Sequence, residues 1–441
     1  MWSENDTVTT PHGTGRVLKV VGGRVRVQCA GTPRWLETKD VTPTDGGLDL
    51  ADNAVDVSDV KSNVPEKTHV RARRTWFSEL FGFDDEGGVY EEHRARFQLD
   101  GEWLVCDGAP FPRQHVGPWE APSVAELRLR WSAAAKSDGT GKLTFRHLAA
   151  GLGVEPLLSN PSNAGAVFMV ASQFNALEMI SPERTPRHGV SIYVRDKTQG
   201  PVCAMACPAA TIFRNYLVEP VDLLFDVGDV LGNGTGTLWQ MKNGYALPTS
   251  ADSFRGLSRR LASDPELCAA AEGALRVGVH ADAQVRPPLT HTVAQVFCSA
   301  LPVAYARGHG LEESDWEPFA RLVLRGAYDA TLAFAACKAA TTGKRVAVYL
   351  TAIGDGAFGN ATSWVRESLE AALGTYRDAA LDVTLVHYGT TVGERWVGAG
   401  LAGDGPARVD VDDPAQGARA AFAKNDLLSA LKNKRGPMDE E

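Results

Sequence analysis

The stretch that most limits how this chain can fold is "RVAVYLTAIGDGAFGNATSWVRESLEAAL", beginning at Arg345. Its first nine residues form an apolar run broken only by Arg345 and Thr351, as expected of a strand covered on both faces. Gly354, Gly356 and Gly359 follow in G-x-G-x-x-G spacing, and a helical pattern begins after Asn360, with Thr362 or Ser363 placed to cap it. A buried strand, a glycine turn and a helix in succession point to a layered α/β domain. Such a turn also brings backbone N–H groups close to an anion lying at the helix start.

The flanking sequence agrees. "GALRVGVH", "TVAQVFCSALPV" and "LDVTLVHYG" are β-rich runs, while "EPFARLVLRGAYDATLAFAACKAA" and "SWVRESLEAALGTYRD" have helical period. The spacing also suits an NAD(P)-binding Rossmann oxidoreductase, which needs a carboxylate at the end of the next strand to hold the ribose. That strand ends in "HYGTT", without one, and most of the α/β pattern precedes the glycines instead of following them. The dehydrogenase reading is therefore a distant alternative.

A second stretch, "SNPSNAGAVFMVASQFNALEMISPE" from Ser159 to Glu183, runs from an Asn-rich loop into a periodic segment. The period predicts a helix over Gly165–Ile180, with Val167, Val170, Phe174 and Leu177 as its buried stripe, Ser172 and Asn175 facing away and Glu178 at the margin. Taken together, the two stretches resemble the macrodomain superfamily, and within it the poly(ADP-ribose) glycohydrolases. The family's phosphate loop reads Gly-x-Gly-Ala-Phe-Gly, and residues 354–359 read "GDGAFG". Gly165 precedes Gln173 by the interval the family keeps between its glycine run and its Gln-Glu-Glu signature. "SPE" at Ser181–Glu183 falls where the family has Asn-Pro-Glu, and "TIFRNY" at Thr211–Tyr216 faintly echoes its Thr-Tyr-Arg run. The resemblance spans Val154 to Gly389.

It implies a three-layer α/β macrodomain-like fold and an ADP-ribose pocket. Asn160 would contact the ribose, with Asn163 and Gly165 at the diphosphate and Gln173 opening the signature. Gly354, Gly356, Ala357, Gly359 and Asn360 would take the other side of the diphosphate, and Phe358 would pack on ribose or adenine. The match breaks at the chemistry. Gln-Glu-Glu is here Gln173-Phe174-Asn175, so Asn175 stands at the position of the catalytic acid, and an amide cannot donate a proton and take it back. Glu178 as substitute acid, or Asp355 positioning a water, are the two routes left for cleavage. Each has a plainer reading, as a salt-bridged carboxylate and as a turn residue. The expected partner is ADP-ribose or an ADP-ribosylated macromolecule, bound by a hydrolase or by a non-catalytic reader; a scaffold with the N-terminal barrel as its interaction module is the other alternative, and no cofactor is implied.

Smaller signals complete the picture. "DKTQGPVCAMACPAAT" (Asp196–Thr211) has the composition of a binding loop in which Gln199 and Gly200 could offer backbone donors. Cys203 and Cys207 are the only close cysteine pair of seven, and no second ligand pair follows; His280, Asp282 and His291 are too scattered to replace it, so no metal is expected. Scattered thiols in odd number suit a cytoplasmic or nuclear protein. The opening "MWSENDTVTTPHG" lacks a signal-peptide pattern, and no run is long and apolar enough to span a membrane. The net charge of −9 argues against non-specific nucleic-acid binding.

At the start, "RVLKVVGGRVRVQC" reads as a hairpin about Gly22–Gly23, and residues 1–45 as a small SH3-like β-barrel serving protein contact. Residues 46–70 read as a linker, 71–150 as an N-terminal extension, 151–423 as the ADP-ribose-binding domain and 424–441 as a charged tail. Within the extension, "RRTWFSELFGF" predicts a short helix capped by Thr75, and "RARFQLDGEWLVC" a hairpin about Asp100–Gly101.

Overall fold

A computed structural model divides the chain into two units, Met1–Arg73 and Arg74–Glu441. It describes residues 75–134, 141–151, 153–306 and 310–396, and the backbone of strands at 7–10, 13–21, 24–28, 34–37, 42–43 and 408–410. The linker at 46–70 and the tail at 424–441 lie outside the described residues.

The first unit contains five strands: β1 (Thr7–Thr10), β2 (Gly13–Val21), β3 (Arg24–Gln28), β4 (Arg34–Glu37) and β5 (Thr42–Pro43). They form one antiparallel sheet in the order β4-β3-β2-β1-β5. Val21 stands opposite Arg24, the register that the Gly22–Gly23 signal predicts.

The second unit opens with α1 (Trp76–Phe81), capped as expected by the Thr75 hydroxyl, which accepts from the Ser78 N–H. After α2 (Tyr90–Arg94) come β6 (Gln98–Asp100) and β7 (Trp103–Val105), the expected hairpin, and β8 (Arg113–His115), which joins them in a three-stranded sheet. Asp85 ties this part to the main body. Its buried carboxylate accepts from the Val190 and Ser191 N–H groups and the Tyr216 hydroxyl, at 2.7, 3.0 and 2.8 Å.

The main sheet is built from β9 (Trp119–Glu120), β10 (Thr144–Ala150), β11 (Val167–Ala171), β14 (Gly278–Gln284), β15 (Thr292–Cys298), β16 (Val346–Thr351), β17 (Leu381–Tyr388) and β18 (Arg408–Asp410). A separate hairpin, β12 (Trp239–Lys242) with β13 (Tyr245–Pro248), stands beside it. The order is β18-β10-β17-β16-β11-β15-β14-β9, parallel from β18 to β15 and antiparallel over the last two pairings. The helices are α3 (Val124–Ala134), α4 (Glu155–Ser159), α5 (Gln199–Ala206), α6 (Pro208–Ile212), α7 (Phe225–Leu231), α8 (Ala251–Ser263), α9 (Pro265–Ala274), α10 (Glu313–Thr342) and α11 (Thr362–Thr375). The alanine-rich α10 is the longest, and from Trp316 to Ala339 it is largely buried. This is a mixed α/β domain. Its sheet takes in Trp119–Glu120 and Thr144–Ala150, residues that sequence alone assigns to an extension.

The segment Gly165–Ile180 corrects the sequence reading: it contains β11 and an irregular loop, with no helix. Val167 to Val170 are all fully buried, as in an internal strand covered on both faces. A short strand buried on both faces shows the same apolar positions as a helical stripe, and periodicity cannot separate the two. Beyond Ala171 the chain folds onto itself. The Gln173 amide donates to the Met179 carbonyl (3.1 Å) and accepts from the Met179 N–H (2.9 Å), and Ala176 holds φ at 56°. The cap of α11 also differs. Its N-cap is Ala361, without a side-chain bond, and Thr362 instead donates to an Asp355 carboxylate oxygen at 2.6 Å.

Candidate functional site

Parallel strands place their variable loops at one edge, and ligands in open α/β sheets lie outside the carboxyl ends of the strands. Here β11 and β16 pair at only two positions, Val167 with Val348 and Phe168 with Tyr349. Beyond Phe168, the β16-facing edge of β11 bonds to a side chain. Gln199, first residue of α5, donates to the Met169 carbonyl at 2.7 Å and accepts from the Ala171 N–H at 2.8 Å. The two strands thus part around an amide that satisfies the released backbone. A cavity of about 530 Å³ lies at their carboxyl ends, and its lining includes Ala171 and Thr351, the last residues of these two strands. That volume falls within the range of about 300–1,000 Å³ usual for small-molecule sites.

One wall is the glycine loop, which contributes Gly354, Gly356, Ala357 and Phe358. The loop is shaped by contacts that exclude side chains. A Cβ on Gly354, at φ 80°, would lie 2.6 Å from the Ala300 Cβ and 2.8 Å from the Asn360 Nδ2. Gly359, at φ 72°, packs its Cα side against Ala304, whose N–H donates to the Phe358 carbonyl at 2.9 Å. Gly356 has nothing within 4 Å of where a Cβ would stand and is exposed. Asn360 is buried behind the loop and donates to the Leu301 carbonyl at 2.8 Å.

The lining also includes Asp196–Gln199 and the start of α5, part of the segment whose composition suggests a binding loop. An Asp196 carboxylate oxygen accepts from the Thr198 N–H at 2.8 Å, which shapes the turn into the helix. Gly200 is essential to this approach: a Cβ there would stand 1.9 Å from the Ala171 carbonyl oxygen and 3.2 Å from the Glu178 Cγ. Phe358, Tyr245 and Tyr305 form an aromatic cluster on the lining, with ring centroids 5.1–5.5 Å apart. Tyr388, 77% exposed, marks the rim.

The sequence-derived residues divide. Gln173, Glu178, Gly354, Gly356, Ala357 and Phe358 line the cavity, while Gly359 and Asn360 support it from behind. Asn160, Asn163 and Gly165 do not line it. They precede β11, whereas the cavity is at its far end, some 15 Å away at about 3.3 Å per strand residue. Their bonds are internal. The Asn160 side chain accepts from the Ser162 N–H, Asn163 bridges the Leu157 carbonyl and the Tyr349 hydroxyl at 2.8 Å each, and the Gly165 N–H donates to the Thr292 carbonyl.

The residues considered for catalysis are all engaged elsewhere. Asn175 accepts from the Leu177 N–H and donates to Asn243, outside the cavity lining. Asp355 is a strut: one oxygen holds Thr362 and the other pairs with Arg395 at 3.0 Å. Glu178 forms a buried ion pair with Arg214 at 3.3 Å, and neither side chain is more than 1% exposed. Arg214 also donates to the Ala176 and Ala210 carbonyls and lies 3.7 Å above the Phe297 ring. Burial pushes the Glu178 carboxyl up to about 7, the Arg214 cation pulling the other way. Of the scattered metal candidates, His280 is fully buried against Trp119 and Phe213. Among the described residues no three His, Cys, Asp or Glu side chains cluster as metal ligands, and no helix is long and apolar enough to cross a membrane.

Sequence reasoning missed the tyrosines. Tyr245, Tyr305 and Tyr388 come from a hairpin, a 3₁₀ turn and a strand end, with no local pattern to mark them. It flagged Gln199 as a backbone donor, whereas its side chain is what props the two strands apart.

No protein-family profile matches the chain, and no curated protein matches it. The chain is similar to solved structures of poly(ADP-ribose) glycohydrolase. One, from Deinococcus radiodurans in complex with ADP-ribose, has 10% identity over 63% of this chain and 90% of that chain, with a TM-score of 0.35. Another, from Thermomonospora curvata, has 13% identity over 63% of this chain and 82% of that one, with a TM-score of 0.35. The Thermomonospora curvata protein bound to the inhibitor ADP-HPD matches at 15% identity over the same shares, with a TM-score of 0.33.

Proposed function

We propose that the cavity binds an ADP-ribosyl group, free or attached to a carrier, and acts as a reader that leaves the bond intact. The observation that carries this reading is the convergence of a glycine loop and a helix start on one crevice beside a cluster of three aromatic rings. Exposed backbone at Gly356 and Ala357 and the first turn of α5 suit a diphosphate. The aromatic rings suit a base or ribose. Cleavage of a glycosidic bond needs a carboxylic acid within reach of the leaving oxygen. Of the two carboxylates on the lining, Asp196 holds Thr198 at the rim and Glu178 is sealed against Arg214.

Hydrolysis is the second reading. It is favoured by Glu178, which is on the cavity lining and whose carboxyl is pushed up to about 7, where an acid would hold its proton near neutral pH. The SH3-like reading of residues 1–45 belongs to this proposal as a protein-contact module.

Calorimetric titration with ADP-ribose, with AMP and NAD as comparisons, tests the main reading. Micromolar affinity, about −8 kcal/mol, with preference for ADP-ribose is expected. Absence of heat, or preference for NAD, overturns it. Release of ADP-ribose from a modified substrate, lost in Glu178→Gln, would replace the reader with the hydrolase.

A further inference from the structure

The strand that closes one side of the cavity carries a second polar feature on its other face. Val386 and Tyr388 of β17 line the cavity, and His387 between them points the opposite way, as strand alternation requires. There its Nε2 meets the Nδ1 of His147 on β10 at 2.8 Å, with the rings stacked and their centroids 5.1 Å apart. Both imidazoles are buried. The short 3₁₀ turn Glu394–Trp396 covers them: Trp396 is 2% exposed and sets its ring against His387 with centroids 5.5 Å apart. The neighbouring residue, Arg395, crosses to the glycine loop and pairs with Asp355 at 3.0 Å. The turn therefore has two attachments, one to a histidine pair and one to the loop that forms a cavity wall.

We propose that this turn is a proton-sensitive latch on the cavity: when the His147–His387 pair takes up a proton, Trp396 is unseated, Arg395 leaves Asp355, and the glycine loop loosens its hold on ligand. The regulation rests on the cavity being an ADP-ribosyl site. The physical reason is that the His387 Nε2 is already engaged by His147 and its ring is buried, so a charge gained there would be poorly hydrated. An added proton puts a cation under an indole lid and beside Arg395.

Among the charged groups nearby, Arg395 reinforces this direction. Phe145 packs against His147, with ring centroids 5.0 Å apart, and contributes no charge. Arg146, the next residue on β10, binds Thr384 on the opposite face of the sheet. β18 places Val409 opposite His147, between Arg408 and Asp410. On the turn, Arg395 repels a proton on His387, and its counter-charge Asp355 is already committed to it and to Thr362. Glu394 is exposed.

The sign follows. Burial, then the His147 ring and Arg395, hold the His387 imidazole down at about 4, against 6.5 once the latch has opened into water. The open form therefore binds the proton first. The closed form is fully favoured above about pH 6.5 and loses ground as pH falls towards 4. Between pH 7.5 and 5.5 the open-to-closed ratio rises about tenfold.

The test uses the full chain, with ADP-ribose as probe. Calorimetry at pH 7.5 and 5.5 reads affinity, and amide hydrogen exchange over residues 389–396 and 354–360 reads the latch and loop directly. Wild type should bind several-fold more weakly at pH 5.5 and exchange faster in both segments. His387→Gln, which can still bond to His147 but cannot take up a proton there, should flatten both profiles. Arg395→Ala removes an exposed tether without opening the core. It should keep the pH-dependent exchange at 389–396 and uncouple it from the glycine loop and from affinity. Exchange that is the same at both pH values in wild type overturns the latch. Faster exchange with unchanged affinity overturns its link to the cavity. No ADP-ribose binding at any pH, with pH-dependent exchange intact, removes the cavity reading and the regulation of ligand with it, while the mechanical response is still seen.

Discussion

The two ends of β11 are made of the same kinds of residue and do different things. Before the strand, Asn160, Asn163 and Gly165 spend their polar groups on one another's surroundings: a turn N–H, a carbonyl of α4, a tyrosine hydroxyl on β16. After it, the chain parts from β16, Gln199 takes up the released backbone, and the glycine loop faces the space that results. Small polar residues thus mark where a chain turns. Strand direction decides which turns can hold a ligand, because ligands in open α/β sheets lie outside the carboxyl ends of the strands.

The comparison is most exposed to a charge placed in each loop's open space. Gly356→Glu should cost on the order of 1,000-fold in ADP-ribose affinity, about 4 kcal/mol, with little change in thermal stability, because no atom lies within 4 Å of its Cβ direction. Full affinity retained by calorimetry would mean the carboxyl end is no more a site than the amino end.

Next comes Glu178, the charge buried at the carboxyl end. Its folded value of about 7 exceeds the ordinary 4.5, so the protonated form is favoured by folding. The contribution of Glu178 to stability is fully present below pH 4.5 and is lost as pH rises through 7, about 3 kcal/mol in all. Glu178→Gln should remove that slope in denaturant unfolding measured from pH 4.5 to 8. An unchanged slope would assign the pH dependence to other groups.

Smaller effects belong to the amino end and should be structural alone. Gly165 holds φ at 76° in open space, so Gly165→Ala should cost about 1 kcal/mol of stability through backbone strain and leave affinity untouched. Asn160→Ala, which removes the cap accepting from the Ser162 N–H, should cost about 0.5 kcal/mol. A loss of ADP-ribose affinity in either variant would return these residues to the site.

Much of this was legible in the sequence. β14 to β17, α10 and α11 were apparent because length and apolar continuity separate a 30-residue helix from a six-residue strand. The glycine loop was identified from its position between strand and helix. β11 was misread because Val167–Val170, followed by Phe174 and Leu177, mimics a helical stripe when both faces of the strand are covered. That reading put Glu178 on a helix, whereas it lies in the irregular segment after β11; Asn160, Asn163 and Gly165, assigned by the family resemblance, stand at the other end of the strand from the cavity. The aromatic cluster could not have been read at all, since Tyr245, Tyr305 and Phe358 meet only in the folded chain.

The close seating of α5 beneath Ala171 has a consequence for anyone who would remodel this protein by selection. A library randomised over Asp196–Val202 and screened for ADP-ribose capture should return glycine at 200 almost without exception, since even a methyl group there meets a carbonyl oxygen at 1.9 Å. Lys197 and Thr198, both exposed on the same short segment, should drift freely. New specificities would have to be written around one immovable letter.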